Sequence, residues 1–372
     1  MSDLCGLRQI PEFQTLLHPI RKHGHKDTSS SVNAVFERSM ACELSLAERN
    51  TITEILRVKS GKIRVARVKA AWRSGRLSMQ SLIALWKIWR DQDDFIVIQH
   101  EATRELRYML ASKRGNGPYQ WRLKNQFSEI DKLAQNLDFD YFEPNSLNKK
   151  TKALFITLTS DSKRMTASQA WQNVGKDWNR FKSALTRKYG KFSFLRCFES
   201  HANGYPHVHA LLIFDKTEFD VFEHIPYNDI MKNTTWRIQQ KRDFEKYHHS
   251  FIEIQAVNNV AQAIGYITKY MAKEYSESNP KYAQTQTLLW VHGKQSFSFS
   301  KDFAKRLKTY RLDRQLHNSN KKTAQIDLFG SIIHEKWDFA GVFSRGELEK
   351  VGNIIKKGSW YGELSQLPDL DR

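Results

Sequence analysis

Residues 194–214 decide the fold: Phe194-Leu195-Arg196-Cys197-Phe198-Glu199-Ser200-His201-Ala202-Asn203-Gly204-Tyr205-Pro206-His207-Val208-His209-Ala210-Leu211-Leu212-Ile213-Phe214. They read as two strands around a tight turn. Successive strand side chains point to opposite faces, so His207 and His209 share one face. Val208, Ala210, Leu212 and Phe214 fall on the other and are apolar enough to bury. A three-residue loop Ala202-Asn203-Gly204, with Gly204 left-handed, is a common hairpin type. It pairs Glu199 with His207 and puts both on one face. A two-residue Asn203-Gly204 turn instead pairs Glu199 with Val208 and turns the carboxylate away. The sequence leaves both registers open.

Two imidazoles on one strand face, with a carboxylate in the first register, are donors for Mg²⁺, Mn²⁺ or Zn²⁺. Phosphate chemistry favours Mg or Mn. The plain alternative is a pair of hydrogen-bonded core histidines.

Working outward, Ala153-Leu154-Phe155-Ile156-Thr157-Leu158-Thr159 reads as a buried strand. Trp171, Val174, Trp178, Phe181 and Leu185 recur at helical spacing, and Gly190 is a helix stop. A polar, irregular stretch is expected up to His249, then a strand over 251–256, a helix over 258–273 and one or two short strands over 290–299. This order predicts an α+β fold: a central antiparallel sheet, ferredoxin/RRM-like, with helices on one face. Residues 138–150 read as a linker. Before it the pattern is mostly helical, with Leu82, Leu85, Trp86 and Trp89 as a core stripe, and residues 1–31 form a loose polar arm. The expected units are a basic N-terminal region at 1–147, a sheet domain at 148–316 and a C-terminal extension of unassigned role at 317–372.

Lys and Arg total 59 against 40 Asp and Glu, a net charge of +19. A chain this basic attracts polyanions, and nucleic acid is the usual one, although charge alone also serves solubility. Cations concentrate without acids between Arg57 and Arg76. Arg64, Arg67, Lys69 and Arg73 are candidates for duplex-DNA contact, the alternative being a solvated helix face. The three cysteines, Cys5, Cys42 and Cys197, have no C-x-x-C spacing, which argues against a disulfide framework or zinc finger and fits the cytoplasm. No apolar run approaches the ~20 residues of a membrane span, and the first residues do not read as a signal peptide.

A second chemistry-bearing segment is Gly265-Tyr266-Ile267-Thr268-Lys269-Tyr270-Met271-Ala272-Lys273. As a helix it places Tyr266, Lys269, Tyr270 and Lys273 on one face. A phenol, with its ordinary pKa near 10, is a poor nucleophile at neutral pH. Neighbouring ammonium groups favour phenolate and offset phosphate charge. A half-buried tyrosine pair beside surface lysines is the bland reading.

Three segments together resemble the signature of HUH endonucleases: Phe155-Ile156-Thr157-Leu158-Thr159, Pro206-His207-Val208-His209 and Tyr266-Ile267-Thr268-Lys269-Tyr270, in the order of the family's replication initiators. The resemblance covers about 151–308 and is closest in pattern to initiators of small rolling-circle plasmids and isometric single-stranded-DNA phages. It implies a metal held by His207, His209 and Glu199, and catalytic Tyr270 and Tyr266 assisted by Lys269 and Lys273. It also implies a nick that leaves a 5′-phosphotyrosyl bond and a free 3′-OH primer, followed by strand rejoining. Where one plasmid type carries a water-activating glutamate four residues before its tyrosine, this chain has Tyr266, so the two-tyrosine scheme fits better. The implied partners are single-stranded and duplex origin DNA, with helicase and polymerase supplied by the host. No G-x-x-x-x-G-K-[ST] motif occurs, since Gly293-Lys294-Gln295-Ser296 lacks the upstream glycine. An HUH transposase with paired tyrosines and a non-catalytic nucleic-acid-binding protein are the competing readings.

Overall fold

The computed structural model describes residues 44–56, 63–125, 149–224, 235–258, 264, 280–303 and 337–368. In chain order the elements are α1 (Leu46–Leu56), α2 (Val65–Arg73), α3 (Met79–Asp91), β1 (Asp94–His100), β2 (Leu106–Leu110), β3 (Lys150–Thr151), β4 (Ala153–Thr159) and α4 (Ala167–Tyr189). They continue with β5 (Phe192–Ser200), β6 (Pro206–Phe214), β7 (Phe219–His224), β8 (Thr235–Ile238), α5 (Lys241–Glu245) and β9 (Ile252–Ala256). The last are α6 (Pro280–Val291), β10 (Phe297–Phe299), β11 (Trp337–Ser344), α7 (Arg345–Lys350) and β12 (Tyr361–Leu364).

The fold is α+β. Its centre is a five-stranded antiparallel sheet in the order β10-β5-β6-β4-β9. α4 forms where the sequence supplies a capping box: the Thr166 hydroxyl accepts from the Gln169 amide while the Gln169 side chain accepts from the Thr166 amide. Gly190, at φ 82°, ends it. The helix lays Trp171, Val174, Trp178, Phe181 and Leu185 over Leu154, Ile156, Leu158, Val208, Ala210 and Leu212. Each such fully buried large side chain stabilises the fold by roughly 1.5–3 kcal/mol.

Both sheet faces are covered, not one. The second face packs Phe155, Leu195, Cys197, Leu211 and Ile213 against Tyr119, Leu123, Val257, Ile264 and Phe303. The stretch expected to be irregular carries β7 and β8, which join β3 in a three-stranded sheet.

Helices α1 to α3 lead the described N-terminal residues, as the spacing predicts, and bury Leu82, Leu85 and Trp86 with Ile52, Val68 and Ala71. α6 bridges this cluster and the sheet: Tyr282, Trp290 and Val291 face the helices, while Leu288 and Leu289 join the α4 core. Two strands in this region, β1 and β2, were not expected. They form the middle of a four-stranded sheet, β11-β1-β2-β12, whose outer strands come from the C-terminal segment. Phe95, Val97, Tyr108, Phe343, Leu348 and Leu364 share its core. Gly362 makes room there, since a Cβ on it would sit 2.7 Å from the Tyr108 ring. Among the described residues, no helix is long and apolar enough to cross a membrane.

Candidate active site

The β5–β6 turn fixes the site. The His201 amide donates to the Tyr205 carbonyl at 2.8 Å, and the Gly204 amide donates to the His201 carbonyl at 2.8 Å. Gly204 adopts φ 85°, a left-handed conformation that glycine takes without a Cβ clash. This is the three-residue loop. Asn203 Oδ1 accepts from the Tyr205 amide at 3.2 Å, and Trp171 Nε1 on α4 donates to the Gly204 carbonyl at 2.8 Å. The turn is thus tied to the helix beneath it.

The resulting register sets Glu199 opposite His207 and Cys197 opposite His209. On the other side of β6, Thr159 lies opposite His207 and Thr157 opposite His209. Glu199, His207, His209, Thr157 and Thr159 therefore share the face that packs Phe155, Leu211 and Ile213 farther along. The apolar face needs its alternation unbroken to seat α4, so polar side chains can gather only here.

The side chains bond to one another. His209 Nε2 lies 2.9 Å from Glu199 Oε2, and His209 Nδ1 lies 3.0 Å from Thr157 Oγ1. An ionised carboxylate only accepts, so we assign the proton to Nε2, and Nδ1 then accepts from the Thr157 hydroxyl. Lys281 Nζ reaches Glu199 Oε1 at 2.5 Å. His207 stacks on His201 with ring centres 4.9 Å apart, and lies 6.2 Å from the His209 ring. Glu199 and His209 are buried. Burial pushes the Glu199 carboxyl up, but the bonds from His209 and Lys281 outweigh it and hold it below the ordinary carboxylate value. His207 is pushed down to about 4, first by burial and then by His209 and His201, so it is neutral at pH 7.

Lys281 was not anticipated. It enters from the first turn of α6, which docks on the hairpin through Thr285 Oγ1, accepting from the Ser200 amide at 3.0 Å. Gln284 Nε2 adds a bond to the Ser200 hydroxyl at 3.0 Å. Pro280 at the head of this helix is the legible signal, since proline favours the first helical position.

Two imidazoles and a carboxylate on one strand face are a donor set for a divalent ion. The side chains as placed pair off instead, and among the described residues no group of three or more His, Cys, Asp or Glu gathers to hold a metal. Tyr266, Lys269, Tyr270 and Lys273 lie outside the described residues. Arg64, Arg67, Lys69 and Arg73 are not part of this cluster. Arg64 stands at the N-cap of α2, whose Val68 and Ala71 face the core. Arg67 and Lys69, two residues apart, point about 200° from each other around the helix. The basic run thus splits over two flanks.

Residues 153–275 match the family model of replication-associated proteins of the ORF2 type. The match spans β4, α4, the histidine hairpin and the sequence positions of both tyrosines. It supports a replication initiator, a protein that works on DNA. No curated protein and no solved structure matches the chain.

Proposed function

We propose that the protein is a rolling-circle replication initiator of the HUH type, a metal-dependent endonuclease and strand transferase. The observation that carries this reading is the row of Glu199, His207 and His209 on one face of the hairpin, within the stretch matched by the replication family. His207, His209 and Glu199 are the residues to hold Mg²⁺ or Mn²⁺, which when bound supplies Lewis-acid polarisation of the scissile phosphate. A neutral His207 and an ionised Glu199 are already in the protonation states that ligation needs. Glu199 must exchange its bonds to Lys281 and His209, and Lys281 then offers its charge to the phosphate.

Tyr270, with Tyr266 as its alternate, is the nucleophile. Its phenolic oxygen bonds to phosphorus, its proton leaves, and the 3′ oxygen departs as the primer hydroxyl. Lys269 and Lys273 lower the cost of forming phenolate. Attack by that 3′-OH on the second phosphotyrosine rejoins the strand. Unwinding and synthesis fall to host helicase and polymerase. The rival reading, a sheet that only binds nucleic acid, draws on the paired-off side chains.

Single-stranded oligonucleotides tiling the DNA around the gene, incubated with Mn²⁺, separate the two. The wild-type protein should give a covalent adduct stable to detergent and a product with a free 3′-OH. Tyr270→Phe should abolish or sharply reduce the adduct, and His209→Ala should remove cleavage. Adducts persisting in the Tyr266→Phe/Tyr270→Phe double variant, or cleavage unaffected by chelator, would sink the assignment. Binding without cleavage of any oligonucleotide would favour the rival.

A further inference from the structure

On the side of the central sheet away from the histidines, cations from four elements meet around one turn. α2 contributes Lys69 and Arg73, one helical turn apart. Between them Trp72 donates Nε1 to His292 Nε2 at 3.3 Å, which anchors α2 to the end of α6. His292 is buried and stacks on Trp171 of α4, with ring centres 6.2 Å apart and planes within 16°. Two residues on, Lys294 lays Nζ 3.1 Å from the Gln172 carbonyl of α4. A Cβ on Gly175 would lie 3.8 Å from the same nitrogen. Lys176 follows, exposed on α4. Arg196 of β5 stands with its guanidinium 5.0 Å from the Trp178 ring and 4.7 Å from the Phe198 ring. Its Nε donates to Ser298 Oγ at 2.7 Å, and its Nη1 is buried without a partner. Arg196 and Glu199 are an odd number of residues apart on one strand, so they face opposite ways.

Among the described residues, none of Lys69, Arg73, Lys176, Lys294 and Arg196 is ion-paired, whereas Lys113, Lys188, Lys191 and Lys281 each hold a carboxylate. The crowding has a measurable trace. Burial, then Lys69, Arg196 and Lys176, hold the Lys294 ammonium below its ordinary value. Burial, then Lys294, Lys69 and Arg73, push His292 down to about 4. A fold that gathers like charges without counter-charges is complementary to a polyanion.

We infer that Lys69, Arg73, Lys176, Lys294 and Arg196 form a binding site for the phosphate backbone of duplex DNA. A single strand is held by exposed aromatic faces that stack on its bases. Here Trp171 and Trp178 are buried and Trp72 is packed in the core, so the site offers charge and no stacking platform. Rows of outward phosphates on a duplex suit it. The inference deepens the proposed reading and rests on it for biological purpose: flanking duplex on one face of the sheet, the strand to be nicked on the other. Arg64 and Arg67, on or beyond the far flank of α2, are not part of the site.

The test is the affinity of the full-length protein for a labelled duplex, and for the single strand of the same sequence, measured against salt. The exposed pair Arg73→Gln/Lys176→Gln threatens the fold least. It should lower the slope of log affinity against log salt on duplex by about 2, near 0.9 for each phosphate no longer neutralised. Lys69→Gln/Lys294→Gln should do likewise, and Lys69→Arg/Lys294→Arg should keep the wild-type slope. The control Lys350→Gln/Lys356→Gln removes the same charge from exposed sites around α7 and should leave the slope unchanged. An unchanged slope in Arg73→Gln/Lys176→Gln, an equal fall in the control, or an equal fall on single-stranded DNA would overturn the inference. Nicking by the wild-type protein is scored separately. A slope that shifts in a protein that never nicks would keep this site and remove the proposed function; normal nicking with an unmoved slope would do the reverse.

Discussion

The two faces of the central sheet are built from the same strands and do different work. Under α4 the face is apolar from end to end: Leu154, Ile156 and Leu158 on β4, Val208, Ala210, Leu212 and Phe214 on β6. The opposite face is apolar only at one end, with Phe155, Leu211 and Ile213, and polar at the other, with Thr157, Thr159, His207, His209 and Glu199. Stability is thus concentrated on one side, which leaves the polar end of the other free to hold groups chosen for chemistry. The expected effect on stability should therefore fall steadily from the first face to the second.

The largest effect belongs to Trp171. It is fully buried in the α4 core and also holds the hairpin turn through its bond to the Gly204 carbonyl. Trp171→Ala should cost about 3–5 kcal/mol, the range for emptying a large aromatic site. Urea denaturation checks it. A loss below about 1 kcal/mol would mean the α4 face does not dominate stability.

A middle effect comes from His292, the titratable group on the α4 side. Its pKa falls from an unfolded value near 6.5 to about 4 in the fold, so between those pH values the unfolded chain binds the extra proton. Stability from this residue is complete above about pH 6.5, is lost as pH falls toward 4, and changes no further below that. The difference between wild type and His292→Gln should shrink by about 2–3 kcal/mol across that window. Parallel stability curves for the two proteins between pH 7 and pH 4 would contradict it. Carboxylates such as Glu48, held near 2 by bonds from Ser78 and Ser45, act at lower pH and cancel in the difference.

The contrast between the faces was legible where the signal was local. Alternation along 206–214, the 3.6-residue spacing from Trp171 to Leu185 and the glycine at 204 each act within a few residues, and they gave β6, α4 and a choice of two turns. Gly204 settles that choice, because the left-handed conformation it takes belongs to the three-residue loop. What was not legible is non-local. Lys281 meets Glu199 only because α6 folds back on the hairpin, and no spacing in the chain announces it. β1 and β2 were hidden for the same reason: their partners β11 and β12 stand near the other end of the sequence. A pairing closed over so long a loop leaves no turn signature beside either strand. The basic run from Arg57 to Arg76 looked like one surface, yet helical geometry sends Arg67 and Lys69 to different flanks, and only α4, β5 and the 292–294 turn show which flank has company.

The smallest stability effect should come from Thr157, and it sharpens the contrast most. Thr157 is half-buried on the site face, opposite His209, and its hydroxyl lies 3.0 Å from His209 Nδ1. Thr157→Val keeps the branched shape and the strand position and removes only that bond. A single hydrogen bond of this kind contributes about 0.5–1.5 kcal/mol, and β-branched valine suits a strand, so the net change in urea stability should stay within about 1 kcal/mol. The chemical consequence should be larger. Without the hydroxyl, nothing fixes which nitrogen of His209 carries the proton or which way the ring turns. If His209 is a metal ligand, loss of such an orienting partner should lower Mn²⁺ affinity and nicking about 10- to 100-fold. Thr157→Ser, which restores the hydroxyl, should recover most of the loss. A valine variant that nicks like wild type, or one that loses several kcal/mol of stability, would show that Thr157 serves the core rather than the site and would erase the distinction between the two ends of that face.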